Sequence, residues 1–362
     1  MNSAALARQA QPPRSATEEI WRRNRQQLVD DMLAGKTQLL GKPVHLKLEL
    51  TNYCNLSCPM CPHQSMQRPV GYMSPALFRR IISQAVPELE FAYVHHLGES
   101  LFHGRIGELI AYGARAGVSM GLSTNATFLD ERKALALLDS GLRFLVISLD
   151  ANSPQSYEKM RSGGEFQKTV RNIERLLELR PLRSPSLHVV VQLIISAYNQ
   201  HEVSEFARRW PNEVVIKEAR DWAGQVSLSS LLPRSRALGQ SFPLERPQVL
   251  PMDAPSLQSP CRLPFGELTV LWDGKVVPCA NVFEHVNLLG DLSVQSLDEV
   301  WNGAPIMALR QAHHRKKVAA IPVCRSCAGH ALDPTDFVSV DQLSQRLRNY
   351  QGGQLSPRSG LS

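Results

Sequence analysis

Three cysteines set the chemistry of this chain. Cys54, Cys58 and Cys61 stand in Cys54-Asn-Leu-Ser-Cys58-Pro-Met-Cys61, directly after the alternating run Val44-His-Leu-Lys-Leu-Glu-Leu50. A [4Fe–4S] cube has four irons, each normally bound by one thiolate. Three close-set thiolates therefore seat a cube and leave one iron open to a small ligand, a layout for catalysis rather than electron storage. A structural zinc site with His63 as fourth ligand uses the same residues. Placement after a strand weighs against zinc, because ligands of parallel β/α folds gather at the carboxyl ends of strands.

The chain has seven cysteines, an odd number, and its start lacks the apolar core of an export signal, so disulfide pairing is a poor explanation. Seven divides into three plus four with none left over. The second set, Cys261, Cys279, Cys324 and Cys327, has the spacing C-x17-C-x44-C-x2-C. Four thiolates suit a closed [4Fe–4S] cube or a Zn(Cys)4 site equally.

Short apolar runs, predicted as strands, fall at 44–50, 91–97, 119–124, 143–149, 187–195 and 213–217. Amphipathic stretches at 75–86, 105–116, 130–139, 168–179 and 200–209 are predicted helices, with start signals at Ser74-Pro75 and Asp130. Six β–α units in series imply parallel strands with right-handed crossovers, in an open sheet or a barrel. The expected divisions are an N-terminal extension over 1–42 with a helix at 17–36, a core over 43–225, a Pro- and Ser-containing linker over 226–258, a cysteine-bearing segment over 259–340 and a flexible tail over 341–362. Within the cysteine-bearing segment, 268–272 and 275–277 flank Asp273-Gly274, predicting a hairpin with a type I′ turn. Ser296-Leu-Asp-Glu299 is a capping box opening a helix through Trp301.

The C-x3-C-x2-C pattern resembles the radical S-adenosylmethionine (radical SAM) superfamily, and the resemblance spans roughly 44–335. It implies an α/β fold: a partial (β/α)6 TIM-like barrel followed by a small α+β twitch-type iron–sulfur domain. It also implies reductive cleavage of S-adenosylmethionine to a 5′-deoxyadenosyl radical. Met60 stands where the family usually has an aromatic residue near the adenine. Leu97-Gly98-Glu99-Ser100 resembles a worn Gly-Gly-Glu-Pro motif, with Glu99 placed to meet the methionine ammonium. Ser123 and Asn125 at the third strand end, Ser148 at the fourth and Gln192 on the fifth resemble the remaining cofactor contacts. Arg161 resembles the arginine that pairs with the cofactor carboxylate. Val276-Val-Pro-Cys279, the helix at Trp301 and the terminal Cys-x2-Cys resemble the auxiliary-cluster extension called SPASM in its long form and twitch in its short one. No cysteine follows Cys327, so the one-cluster short form is expected.

Two [4Fe–4S] clusters and S-adenosylmethionine are thus the implied cofactors, and a low-potential donor such as flavodoxin or ferredoxin the implied partner. A four-thiolate auxiliary cube suits electron acceptance, so the leading expectation is two-electron oxidation of a small polar molecule, similar to aminocyclitol dehydrogenases. The alternatives are a peptide maturase, an epimerase, or a non-catalytic zinc or iron–sulfur protein. Extension 1–42 is shorter than the usual leader-binding module of maturases, and Ala280 replaces the aspartate of sulfatase-maturing relatives. Lys217-Glu-Ala-Arg-Asp-Trp222 follows the sixth strand, and Glu218, Arg220 and Asp221 are the substrate-facing candidates. His95 and His96 close the second strand, and alternation points one of them inward.

Composition is that of an ordinary globular protein, 43% apolar, with no run long enough to span a bilayer; a cytoplasmic location and no membrane partner are expected. The net charge of +7 is scattered apart from His313-His-Arg-Lys-Lys317, which reads as a solvated helix face. A nucleic-acid partner is not expected from such a pattern.

Overall fold

A computed structural model describes residues 16–211, 213–232 and 261–327, apart from the side chain of Glu218. Residues 1–15, most of the expected linker and the expected tail lie outside it. Helix α1 (Ala16–Leu33) precedes the first β/α unit. Five units and a sixth strand follow: β1 (His45–Leu48) with α2 (Pro75–Ala85), β2 (Phe91–Tyr93) with α3 (Ile106–Arg115), and β3 (Ser119–Thr124) with α4 (Glu131–Leu138). Next come β4 (Phe144–Ser148) with α5 (Pro154–Met160) and α6 (Phe166–Arg183), β5 (His188–Ile195) with α7 (Val203–Arg209), and β6 (Val214–Glu218). Helices α2 and α4 start where the caps predict: Ser74 accepts from Leu77 N and Asp130 from Lys133 N.

The six strands are parallel and neighbour one another in chain order, as right-handed β/α units require. Both faces of such a sheet are covered, so alternation sorts residues between two interiors. Leu46 and Leu48 of β1 join the main core beneath the helices. The opposite face lines the curved interior. There Phe91, Phe144 and Val190 pack as a plug with Tyr93, Val146 and Val215. Each such buried side chain contributes about 1.5–3 kcal/mol. Gly121 makes room for the plug: a Cβ there would lie 2.5 Å from the Phe91 ring.

The cysteine-bearing segment begins with α8 (Leu263–Gly266) and β7 (Glu267–Val270), then β8 (Lys275–Val277), β9 (Gly290–Asp291), α9 (Leu297–Trp301), α10 (Ala304–His314) and α11 (Pro322–Arg325). It does not stand apart as a separate sheet. β7 pairs parallel with β1, so one nine-stranded sheet runs β6-β5-β4-β3-β2-β1-β7-β8-β9. Loop 66–72 clamps this junction. Arg68 forms a buried two-pronged pair with Glu49, donates to Phe283 O at 2.5 Å, and Trp272 N donates to Glu49 at 3.2 Å.

The β7–β8 hairpin forms, but its turn is not type I′. That turn needs positive φ at both central residues, and only Gly274 has it, at 93°. Leu271 N donates to Lys275 O at 2.8 Å, which leaves the three-residue loop Trp272-Asp273-Gly274 with glycine in the left-handed position. The capping box at Ser296 and Glu299 forms as expected. His313-His-Arg-Lys-Lys317 is not a wholly solvated face: His313 is 7% exposed and turned toward Cys261. Helix α5 has no counterpart among the predicted helices.

Candidate active site

The Cys54–Cys61 loop leaves the carboxyl end of β1 and is fastened from three sides. Glu99 N donates to Tyr53 O at 2.7 Å. Asn125 Nδ2 donates to Asn55 Oδ1 at 3.2 Å and approaches Cys54 Sγ at 3.9 Å. Ser57 N donates to Ser162 O at 2.9 Å. Gly98 lets the first fastening close: its φ is +77°, and a Cβ would stand 2.5 Å from Thr51 O. The glycine of the worn motif is therefore required by backbone sterics alone.

Glu99 is buried, with a carboxylate that accepts from Leu101 N at 3.0 Å, Asn125 N at 2.7 Å and Thr124 Oγ1 at 2.8 Å. It thereby ties the β2 end to the β3 end. Burial pushes its pKa up, and these donors oppose the shift. Arg161, just past α5, pairs with buried Asp150 and donates from Nη1 to Cys58 Sγ at 3.4 Å, while its Nε has no partner. Asp150 is itself held by Ile194 N at 2.7 Å. Burial drives the Cys54 thiol up to about 12 and Cys61 to about 11. Ligation by metal therefore releases protons here.

These groups border a cavity of about 410 Å³. Met60, Gly98, Glu99, Ser123, Asn125, Ser148, Arg161 and Gln192 all line it, beside all three cysteines. Met60 also packs against Leu56, Cys58, Met160 and Leu231, and its carbonyl accepts from Trp222 Nε1 at 3.0 Å. Of the substrate-facing candidates, Arg220 lines the cavity. Asp221 does not; its carboxylate caps its own turn through Ala223 N at 3.1 Å. The Glu218 side chain lies outside the described ones. Both His95 and His96 border the cavity, but His96 Nε2 donates to Val282 O at 3.2 Å, whereas His95 Nδ1 is buried without a partner.

The second cysteine set also converges. Cys261, Cys279, Cys324 and Cys327 are close enough for charge on one to disfavour charge on another, and burial raises Cys261 and Cys324 to about 12 and Cys279 to about 11. His313 Nδ1 accepts from Cys261 N at 3.3 Å, and its Nε2 stands 4.0 Å from Cys324 Sγ. Asn281 donates to Cys327 Sγ at 3.5 Å. Ala280 and Asn281 line the cavity, so this segment contributes to the same space as the first cysteine loop.

Lys217 and Trp222, the ends of the stretch expected after the sixth strand, also line the cavity, as do Lys47 and Tyr93, which the sequence reading did not name as site residues. Lys47 did leave a signal: in His45-Leu-Lys-Leu-Glu49 the polar positions alternate inside a strand whose two faces are both covered.

A profile of the radical SAM superfamily matches residues 48–208, and one of an iron–sulfur cluster-binding SPASM domain matches 261–328. The chain belongs to the radical SAM superfamily. A cofactor-modifying protein for the tungsten-containing aldehyde ferredoxin oxidoreductase of Pyrococcus furiosus is 23% identical over 333 residues, covering 83% of this chain and 90% of the relative. The PqqA peptide cyclase of Gluconobacter oxydans is 26% identical over 290 residues, covering 74% and 79%. Streptococcus suis SuiB bound to the precursor peptide SuiA shares the fold at TM-score 0.57 and 14% identity, over 85% of this chain and 74% of SuiB.

The cofactors of this radical SAM enzyme are [4Fe–4S] clusters and S-adenosylmethionine, and the seven thiols fit two cubes as three plus four. His63, the fourth ligand of the zinc alternative, instead donates Nε2 to Asn52 O at 2.7 Å. Arg161 borders the cavity with a guanidinium whose Nε is buried and without a partner, a residue type that fits a cofactor carboxylate. No helix among the described residues is long and apolar enough to cross a membrane.

Proposed function

We propose that this radical SAM enzyme modifies a peptide, installing a bond or removing hydrogen at a side chain held between the two cysteine sets. When bound, the reduced cluster and S-adenosylmethionine supply a 5′-deoxyadenosyl radical that takes one hydrogen atom from the substrate. The chain's own part is positional. Cys54, Cys58 and Cys61 hold the first cube, and Glu99 with Gly98 keeps their loop in register with β2 and β3. Arg161, Ser148 and Gln192 face the cofactor, and Met60 borders its adenine. Cys261, Cys279, Cys324 and Cys327 hold a second cube to which a substrate radical would pass its electron.

The observation that carries this reading is the shared cavity, lined both by the first cysteine loop and by Ala280 and Asn281 of the auxiliary segment. The peptide class is favoured over an aminocyclitol by the extent of similarity to the PqqA peptide cyclase, most of whose length is covered. Ala280 supplies no carboxylate at the cavity wall, which does not favour sulfatase-type maturation.

Reduction would come from a low-potential flavodoxin or ferredoxin. Tyr53, adjoining Cys54, packs edge-on to Phe102 at 4.7 Å, and Phe102 meets Phe128 at 4.5 Å. Lys133 and Lys168 stand over Phe128 at 5.1 and 5.5 Å. An exposed aromatic face flanked by lysines suits an acidic carrier.

The test is incubation of the anaerobically reconstituted enzyme with S-adenosylmethionine, dithionite and candidate precursor peptides. Formation of 5′-deoxyadenosine in step with a mass change on the peptide is expected. Cleavage coupled to a small alcohol, with no peptide turned over, would replace this reading by the dehydrogenase one.

A further inference from the structure

We propose that the barrel interior is an anion seat, in which Lys47 and Lys217 hold a carboxylate of the substrate next to its reacting carbon. The inference rests on the peptide reading above and names the substrate group, an acidic side chain or a C-terminus. Lys47 sits opposite Tyr93 in the β1–β2 register, and Lys217 opposite Ile194 in the β5–β6 register. Both side chains therefore rise from the strands that enclose the space above the Phe91–Phe144–Val190 plug, and both line the cavity.

The described carboxylates around this space are already committed. Asp150 takes Arg161 and Ile194 N. Glu99 takes three donors. Glu267, on the neighbouring β7, lies 3.9 Å from Lys47, at the outer limit of an ion pair. Among the described side chains, no carboxylate forms an ion pair with Lys217; the charges it feels most are attraction from Asp150 and repulsion from Arg220, Arg161 and Lys47. Lys47, Arg161, Lys217 and Arg220 thus line one cavity, and among the described side chains lining it the one carboxylate, Glu99, is held by three protein donors.

His95 adds an independent pointer. Its Nδ1 is buried without a partner at the same cavity, and burial, reinforced by Lys47, Arg161 and Lys217, keeps the ring neutral. Buried polar atoms are nearly always partnered, so this one marks a place where the protein alone does not supply the partner. With its proton on Nδ1, the neutral ring adds an N–H donor to the two lysines that line the same cavity, a set that recognises a carboxylate. A cationic substrate such as an aminocyclitol would meet repulsion here, whereas an anion relieves it.

The experiment uses the reconstituted holoenzyme with S-adenosylmethionine present and amine-reactive labelling read by mass spectrometry. N-acetylglutamate α-amide probes a side-chain carboxylate, N-acetylglycine a C-terminus, and N-acetylglutamine α-amide the neutral shape. One or both acids are expected to slow labelling of Lys47 and Lys217 several-fold while the neutral amide does not, and the better protector identifies the source. Lys217→Met should lose this discrimination yet keep the change in the magnetic-resonance spectrum of the reduced enzyme on adding S-adenosylmethionine. Equal protection by acid and amide would overturn the proposal, as would loss of that spectral change in Lys217→Met, which would make Lys217 a cofactor contact. Protection by the acids together with coupled turnover of a non-peptide acid would overturn the peptide reading alone.

Discussion

Gly98→Ala isolates the step that locks the cysteine loop to the sheet. The native φ of +77° disfavours any L side chain, at a cost of about 1 kcal/mol. The added methyl would also meet Thr51 O at 2.5 Å and Asn52 C at 2.7 Å, backbone atoms that no rotamer change can clear. Forced overpacking of this kind costs about 1–3 kcal/mol. Together the variant should lose about 2–4 kcal/mol, most of it by displacing residues 51–53 and so the Cys54 end of the loop. Chemical denaturation reports the stability, and metal analysis after anaerobic reconstitution reports the first cube. The auxiliary cube, held by residues distant in sequence, should remain. A variant with wild-type midpoint and full iron would refute the claim that this turn is pinned against the loop backbone.

Three other outcomes follow from the same geometry. Asp150→Asn leaves the Arg161 guanidinium without its charge partner in a buried position, and should cost about 3–5 kcal/mol in denaturant unfolding. His45 is held neutral by burial, its pKa drawn down to about 4 from an ordinary 6.5. The folded state therefore binds fewer protons than the unfolded one, so stability is full above pH 6.5 and lost as pH falls toward 4. Denaturation midpoints of His45→Phe should fall less steeply across that window, by about 1.4 kcal/mol per pH unit. Charge reversal in Lys133→Glu/Lys168→Glu should slow cluster reduction by flavodoxin about tenfold at low salt while leaving dithionite reduction unchanged; equal slowing with both reductants would move the docking face elsewhere.

Much of this architecture is legible in the sequence because its period-2 strands and capped helices are local. The six parallel strands, the cap at Ser74 and the box at Ser296 each rest on residues within a few positions of one another. The pairing of β7 with β1 joins residues more than 200 positions apart and carries no local signature. Helix α5 was missed because seven residues show too little periodicity to separate a helix from a loop. At the site, residue types announced the cysteines, Glu99 and Arg161, but not that Arg161 shares its charge with Asp150 or that Asp221 turns away. Within the stretch 217–222 the sequence singled out Glu218, Arg220 and Asp221 rather than Lys217, because the direction in which a strand end faces depends on how the sheet curls.

The account turns on a first cysteine set that holds a cube with one open iron. Anaerobic reconstitution followed by iron counting and low-temperature magnetic resonance, with and without S-adenosylmethionine, tests this directly. About eight irons per chain are predicted for the native protein and about four for Cys58→Ala, with the reduced native spectrum altered by the sulfonium ligand. Tetrahedral zinc in the Cys54–Cys61 loop, or a cube whose spectrum ignores S-adenosylmethionine, would contradict it.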